Sequence, residues 1–221
     1  MEVTKAAIVV NGEINDYDFA KEILDSCSYI VACDGGLKHC HAMGIKPNYI
    51  VGDFDSVSAD ILNEYKEIPK SRFSAEKDFT DMELAIEHVC DEVKSVNHLV
   101  ILGALGKRLD HQMANIFLLQ ATLNAGLYTE IIDESTKVLM IDKSCKLHKR
   151  DGNLVSLLPV SSTVNAVVTD GLKYPLNSED LFIGFARGIS NLIIDEIAKV
   201  SVENGTLLVI QTKEYKCEES K

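Results

Sequence analysis

Apolar positions along the first 135 or so residues follow two alternating rhythms. Short unbroken apolar runs at 6–10, 29–33, 49–51 and 98–102 each stop at a glycine or a polar cluster, and they read as buried strands. Between them, 19–24, 37–43 and 112–125 read as helices, two of them stopped by Gly44 and Gly126. Met82, Ala85, Ile86, Val89, Cys90 and Val93 fall on one face of a further helix, and Ile131-Ile132 begins one more strand. Alternation of this kind predicts parallel strands joined by crossover helices. After about residue 137 the rhythm changes. Short apolar stretches at 138–141, 154–158, 164–168, 182–185, 199–202 and 206–210 are separated by turn residues, and only 191–198 is ambiguous between strand and helix. Asn204-Gly205 lies between two alternating runs and predicts a hairpin. The second half therefore reads as all-β and sandwich-like, with a polar tail at 214–221 expected to fray.

Composition narrows the possible partners. The chain has 221 residues, 46% of them hydrophobic, which excludes the disordered class. Its 34 acidic and 22 basic residues give a net charge of −12, which argues against a nucleic-acid backbone as the main ligand. That charge still allows a small phosphate ligand carried with a divalent cation. The longest run of apolar residues and glycine, 99–106, is far short of the roughly 20 residues that span a bilayer. The five apolar residues after Lys5 are too few for a signal-peptide core, so the expectation is a cytoplasmic chain with no membrane partner. No two of the six cysteines have CxxC spacing, so neither a zinc site nor a redox motif is expected.

The acidic residues that carry chemistry stand where predicted strands end. Asp34 closes the second strand, and Asp53 and Asp55 close the third. Ligands of open parallel sheets bind at the carboxyl ends of strands. Asp53 and Asp55 are two apart, on one side of an extended segment, and Asp78 and Asp81 are three apart where a helix begins. Any one of them alone reads as readily as a helix cap or a solvated loop residue. Together they would repel one another unless a cation sat among them, and magnesium, a hard ion that takes carboxylates and phosphate oxygens, suits that role. A second segment, Gly103-Ala104-Leu105-Gly106-Lys107-Arg108-Leu109-Asp110-His111, also follows a strand and opens a helix. Glycines admit a phosphate close to the backbone, a helix N-terminus favours anions, and Arg108 can make a forked contact. The segment is neither a Walker loop nor a GxGxxG fingerprint, and by itself it also fits a plain tight turn. His39 and His41, on either side of Cys40, fall on different faces of a short helix and read as surface or core residues, while His88, His98 and His148 carry no pattern.

These motifs resemble, in order and spacing, those of the thiamine pyrophosphokinase family. Asp34-Gly35-Gly36, Gly52-Asp53-Phe54-Asp55-Ser56, Lys77-Asp78-Phe79-Thr80-Asp81 and the 103–111 segment look like its nucleotide and metal motifs. Gly171-Leu172-Lys173-Tyr174-Pro175-Leu176 and Gly188-Ile189-Ser190-Asn191 look like its thiamine-side motifs. The resemblance implies α/β plus all-β architecture: a Rossmann-like parallel-sheet domain over 1–136 that binds ATP and magnesium, then a β-sandwich over 137–221 that binds thiamine and forms a homodimer. It implies pyrophosphoryl transfer from ATP to the thiamine hydroxyl, giving AMP and thiamine diphosphate. By motif, Asp53, Asp55 and Asp81 would hold Mg2+, with Asp78, Arg108 and Asp110 at the reacting groups. Asp34, Gly35, Gly36, Lys77, Gly103, Gly106, Arg108 and His111 would meet ATP, and Asp110, Tyr174, Ser190 and Asn191 would meet thiamine. Tyr174 stands where some members carry a stacking tryptophan, and this chain has no tryptophan.

Three other readings compete. Asp53-Phe54-Asp55-Ser56-Val57 has the DxDxV pattern of a haloacid dehalogenase-type phosphatase, which would use Asp53 as nucleophile, although here the pattern follows the third strand and not the first. A pyrophosphokinase for another small alcohol, such as a pterin, would use the same chemistry. A non-catalytic thiamine or nucleotide sensor would bind without forming AMP.

Overall fold

Short apolar runs too brief for helices become the strands of a parallel sheet, and the longer amphipathic stretches cover its two faces. The computed structural model describes residues 4–72, 79–93, 95–106 and 108–213. Contacts divide the chain into two units, Met1–Glu134 and Ser135–Lys221, a division two residues earlier than the change of rhythm suggests.

In the first unit the order is β1 (Thr4–Val9), α1 (Tyr17–Asp25), β2 (Tyr29–Cys33), α2 (Gly36–Ala42), β3 (Tyr49–Gly52), α3 (Ala59–Glu64), β4 (Lys70–Arg72), α4 (Asp81–Glu92), β5 (Val96–Leu102), α5 (Leu109–Asn124) and β6 (Tyr128–Ile132). The strands lie in the order β6-β5-β1-β2-β3-β4 and pair in parallel. The chain therefore builds outward from β1 to β4, then returns to the other side of β1 to lay down β5. This reversal leaves a crevice above the carboxyl ends of β1 and β5, the usual ligand position in such sheets. Ala6, Ala7, Ile8 and Val9 are fully buried, as expected of a central strand covered on both faces. The ends of α1 and α4 are written locally. Asp16 accepts from the Phe19 N–H at 2.9 Å, and Thr80 and Glu83 form a reciprocal capping box.

The second unit contains β7 (Thr136–Ile141), β8 (Ser144–His148), β9 (Leu154–Pro159), β10 (Thr163–Asp170), β11 (Asn177–Phe182), β12 (Asn191–Leu192), β13 (Ile197–Ser201) and β14 (Leu207–Thr212). Antiparallel pairing gives two runs, β12-β9-β14-β7 and β11-β10-β13-β8. Leu139, Leu157 and Val209 from the first run pack with Leu147, Val164 and Val200 from the second in one core, which is a sandwich.

The expected hairpin at Asn204-Gly205 does not form. β13 pairs with β10 and β8, whereas β14 pairs with β7 and β9, so the turn carries the chain from one sheet to the other. Asn204 instead bridges to Asn165, whose N–H donates to the Asn204 carbonyl at 2.8 Å. At Gly205, φ is +95° and a Cβ would fall 2.6 Å from the Thr163 carbonyl oxygen, so the glycine serves this close crossing. The ambiguous 191–198 stretch resolves into β12 and the start of β13, and the run expected at 182–185 leaves its strand at Phe182.

Candidate active site

The acidic cluster is built by two adjacent strand ends. Cys33 of β2 stands opposite Val51 of β3, so the residues that follow each strand emerge at the same edge. The Asp34 N–H donates to the Val51 carbonyl at 2.7 Å, with Asp34 itself in the left-handed region at φ +42°. Gly52 follows at φ +150°, and a Cβ there would lie 3.0 Å from Asp34 Cα. Phe54, at φ +67° and buried, anchors the turn in the core while its neighbours Asp53 and Asp55 stay at the surface. The Asp55 N–H donates to Asp53 Oδ1 at 3.1 Å, and the Ser56 hydroxyl donates to Asp34 Oδ2 at 2.8 Å.

One carboxylate oxygen each from Asp34, Asp53 and Asp55 lies within 4.8 Å of the others. The electrostatic consequence is clear at exposed Asp55. The Asp53 charge, then desolvation, then Asp34 and Asp81 raise its pKa above the ordinary aspartate value. Asp81, the first residue of α4, thus acts on the same group. Asp34 Oδ1 is buried and accepts no hydrogen bond among the described residues. Hard oxygen donors under mutual repulsion, one of them buried without a partner, fit a hard divalent cation.

Across the crevice, α5 and the loop before it form the other wall. Arg108 is the N-cap residue of α5, and Asp110 lies in the helix's first turn. The guanidinium grips that carboxylate with both arms, Nε to Oδ1 at 3.1 Å and Nη2 to Oδ2 at 2.5 Å. This fork holds Asp110 well below the usual aspartate range, at about 2, so the carboxylate is charged and a weak base. Together the walls enclose a cleft of about 760 Å3 whose lining includes Asp34, Asp53, Asp81, Arg108, Asp110 and His111, with Gly103 and Gly106 beneath. Gly35 and Gly36 take a different place, at the start of α2. A Cβ at Gly36 would fall 1.9 Å from the Val9 carbonyl oxygen, so its smallness lets α2 start against β1. Lys77 and Asp78 lie outside the described residues, as does Lys107.

Of the thiamine-side candidates, Asp110 lines the cleft of the first unit, and Tyr174, Ser190 and Asn191 belong to the second. Asn191 is buried and its amide engages the backbone. Oδ1 accepts from the Tyr174 and Leu192 N–H groups at 3.0 and 2.9 Å, and Nδ2 donates to the Tyr174 carbonyl at 2.6 Å. Asn191 therefore clamps the loop that presents Tyr174, a residue 55% exposed with Lys173 Nζ 5.5 Å from its ring centroid. Ser190 sits at φ +58°, with its N–H on Ser156 Oγ at 3.2 Å and its side chain exposed.

Three site residues escaped the sequence reading. Asn11 lines the cleft at the end of β1, and Asn115 lines it from α5, where its Nδ2 pins the Ala104 carbonyl at 2.8 Å. Ser56 holds Asp34. Asn11 carried the same signal as Asp34, a polar residue closing an apolar strand run, and Ser56 sits within a quoted motif. Asn115 had no local signal, because its partner lies eleven residues away across a turn.

Comparison with known proteins bears on both units. The thiamin pyrophosphokinase catalytic-domain family matches residues 20–131, and the thiamin pyrophosphokinase vitamin B1 binding domain matches residues 140–207. A thiamine pyrophosphokinase of Bacillus subtilis (strain 168) is 28% identical over 212 residues, covering 93% of this chain and 97% of that protein. The crystal structure of a Bacillus subtilis thiamine pyrophosphokinase aligns with a TM-score of 0.85 at 25% identity, covering 96% of this chain and 100% of the other. That of Geobacillus thermodenitrificans thiamin pyrophosphokinase aligns at 0.83 with 28% identity, over 97% and 100% of the two chains. Yeast thiamin pyrophosphokinase, at 16% identity, shares the fold, with a TM-score of 0.77 over 96% of this chain and 87% of that one.

Proposed function

The chain belongs to the thiamin pyrophosphokinase family, and from that premise we propose that it transfers the pyrophosphoryl group of ATP to the thiamine hydroxyl, releasing AMP and thiamine diphosphate. The observation that carries this reading is the meeting of two walls in one cleft. Asp34, Asp53 and Asp81 line one side, with Asp55 beside them, and Arg108 stands on the other. Asp53 and Asp55 would hold Mg2+ together with Asp34, whose oxygen lies in the same cluster, and with Asp81 beside them, and when bound the ion would neutralise the triphosphate and keep it oriented. The cluster's own charge disfavours a bare phosphate, so this wall takes nucleotide only as its cation complex.

The chain's remaining groups divide the work. Arg108 supplies positive charge and a planar fork toward the transferring phosphates, and the helix N-terminus behind it favours the same anion. Gly103 and Gly106 let backbone approach the phosphates. The hydroxyl oxygen forms a bond to Pβ while the bond from Pβ to the α-β bridging oxygen breaks; that oxygen leaves with AMP, and the hydroxyl proton passes to solvent. Such transfers have loose transition states in which positioning and charge outweigh base strength. Asp110, held at about 2 by Arg108, is suited to orient the guanidinium and to accept a hydrogen bond from the hydroxyl. Tyr174 offers thiamine an exposed ring, Ser190 a free-facing hydroxyl, and Asn191 the clamp beneath them.

The phosphatase reading through Asp53 is not favoured by family membership, and the match of the vitamin B1 binding domain over 140–207 supports thiamine over a pterin alcohol. We further propose that 1–136 carries ATP and metal, that 137–221 carries thiamine binding, and that the protein is a cytoplasmic homodimer. Exposed Phe182, Ile183, Phe185 and Ile189 support association through the second unit. Among the described residues no helix is long and apolar enough to cross a membrane. The direct test incubates the protein with ATP, Mg2+ and thiamine. Equal amounts of AMP and thiamine diphosphate are expected, and release of inorganic phosphate without AMP would overturn the reading.

A further inference from the structure

The geometry points to His39 as a positioning residue for the nucleotide side of the cleft, acting through the Gly12 peptide. This rests on the pyrophosphokinase reading. Asn11 and Gly12 follow β1 at the point where the strand order reverses, and both line the cleft beside Gly103–Gly106. The Gly12 peptide is held from two directions. Its N–H donates to the Gly103 carbonyl at 2.8 Å, and its own carbonyl meets His39 Nε2 at 2.9 Å. A carbonyl oxygen only accepts, so Nε2 carries a proton. In the neutral ring Nδ1 is then an acceptor, and the Tyr17 hydroxyl, 2.8 Å away, donates to it. Tyr17 thereby selects the tautomer that holds Gly12. Burial pulls the His39 pKa below its ordinary value, in keeping with a neutral ring.

Contact within this wall is close enough for a small displacement to travel. A Cβ at Gly12 would fall 2.1 Å from the Gly103 oxygen, and one at Gly35 would fall 2.0 Å from Asn11 Oδ1. Releasing the Gly12 carbonyl therefore loosens the loops on both sides of it. The carboxylate cluster has anchors of its own, the Asp34 N–H on Val51 and the Ser56 hydroxyl on Asp34, so the metal side depends less on His39 than the Gly12 loop does. A histidine that merely stabilised α2 would affect all substrates alike. One that holds the Gly12 loop would affect ATP selectively.

The test uses the full chain with H39A, H39Q and Y17F. It measures kcat, KM for ATP and for thiamine, and Kd for the magnesium complex of adenosine 5′-(α,β-methylene)triphosphate, whose α–β link cannot be cleaved. For H39A, ATP KM and analogue Kd are expected to rise about tenfold, the upper end of what one lost hydrogen bond to a half-buried carbonyl costs, while kcat and thiamine KM move less than about twofold. H39Q, whose amide N–H can reach the same carbonyl, is expected to recover most of the loss, and Y17F to raise analogue Kd about threefold. Unchanged analogue affinity in H39A, or a parallel loss in kcat and thiamine affinity, overturns the assignment. If H39A does not fold, unchanged analogue affinity in Y17F overturns it. A wild-type protein that binds the analogue but makes no AMP from ATP and thiamine would sink the pyrophosphokinase reading alone, since the binding comparison still decides the role of His39.

Discussion

Replacing Gly52 by alanine perturbs the acidic cluster without changing any charge. At φ +150° an L-residue is strained, typically by about 1–3 kcal/mol. The added Cβ would also sit 3.0 Å from Asp34 Cα and 3.1 Å from its Cβ and N, against roughly 3.5–4.0 Å for relaxed carbon contacts. Asp34 has little room to retreat, because its N–H is bonded to Val51 and its side chain to Ser56. Together, strain and crowding are worth about 3 kcal/mol, or a fall in melting temperature of roughly 10 °C for a domain of this size. Gly44→Ala is the control. It too has positive φ, +66°, but nothing lies within 4 Å of the added carbon, so it should lose only about 1 kcal/mol. Because Asp34 must shift, Gly52→Ala should also raise the Mg2+ concentration that half-saturates activity, by about tenfold on the scale of disturbed metal surroundings, with no such change in Gly44→Ala. Thermal melts and Mg2+ titrations of the initial rate decide it. Equal stability losses in the two variants, with the same Mg2+ dependence, would refute the claim that a tight approach of β2 and β3 sets the cluster.

Other expectations follow from the same geometry. Asp53→Asn and Asp55→Asn should each lower kcat by at least about a hundredfold, yet leave the metal-free melting temperature equal or higher, because each relieves repulsion. Steady-state rates and melts with chelator separate the two effects. The raised Asp55 pKa means that the metal-free fold binds this proton more readily than the unfolded chain. Its stabilising contribution is full below the ordinary aspartate pKa of 3.8 and is lost as pH rises through the elevated folded value. Asp110 has the opposite sign. Its contribution is present above 3.8 and is lost as pH falls through about 2. Melting curves against pH for wild type, Asp53→Asn and Arg108→Ala should show the first effect shrink in Asp53→Asn and the second vanish in Arg108→Ala. Asn191→Ala should destabilise the second unit by about 1–2 kcal/mol, since it removes the side chain that ties down the half-buried backbone of the Tyr174 loop, and should raise KM for thiamine more than KM for ATP. Denaturant titration and substrate kinetics test both parts.

How far the sequence announced this arrangement depended on whether its cause was local. Asp34, Asp53 and Asp55 were visible because a charged residue closing an apolar run marks the functional edge of a parallel sheet. The strands β8 and β11 were not, because each is the outer strand of its sheet and mixes outward polar residues with few inward ones, Cys145 and Leu147 in β8 and Leu181 in β11. The helix α3 and the strand β4 were also missed. α3 buries none of its residues and β4 is three residues long, so neither leaves a periodic trace. Asn204-Gly205 misled for the opposite reason. Its local chemistry suits a tight reversal, but Leu207, Val209 and Gln211 pair with strands some fifty or more positions upstream, and that pairing prevails. Asn191 shows the limit for side chains. Its motif marked the place, but only its three bonds reveal that it braces a neighbouring loop.

The placement of β14 between β7 and β9 has a consequence for biosynthesis. The last strand of this unit to emerge from the ribosome is the one its neighbours require on both flanks. Until then β7 and β9 each present an unsatisfied hydrogen-bonding edge, the kind of surface on which nascent chains stick to one another or recruit chaperones. A stop codon just upstream of Leu207 would therefore do more than shorten the product, since it would leave half a sandwich with two adhesive rims.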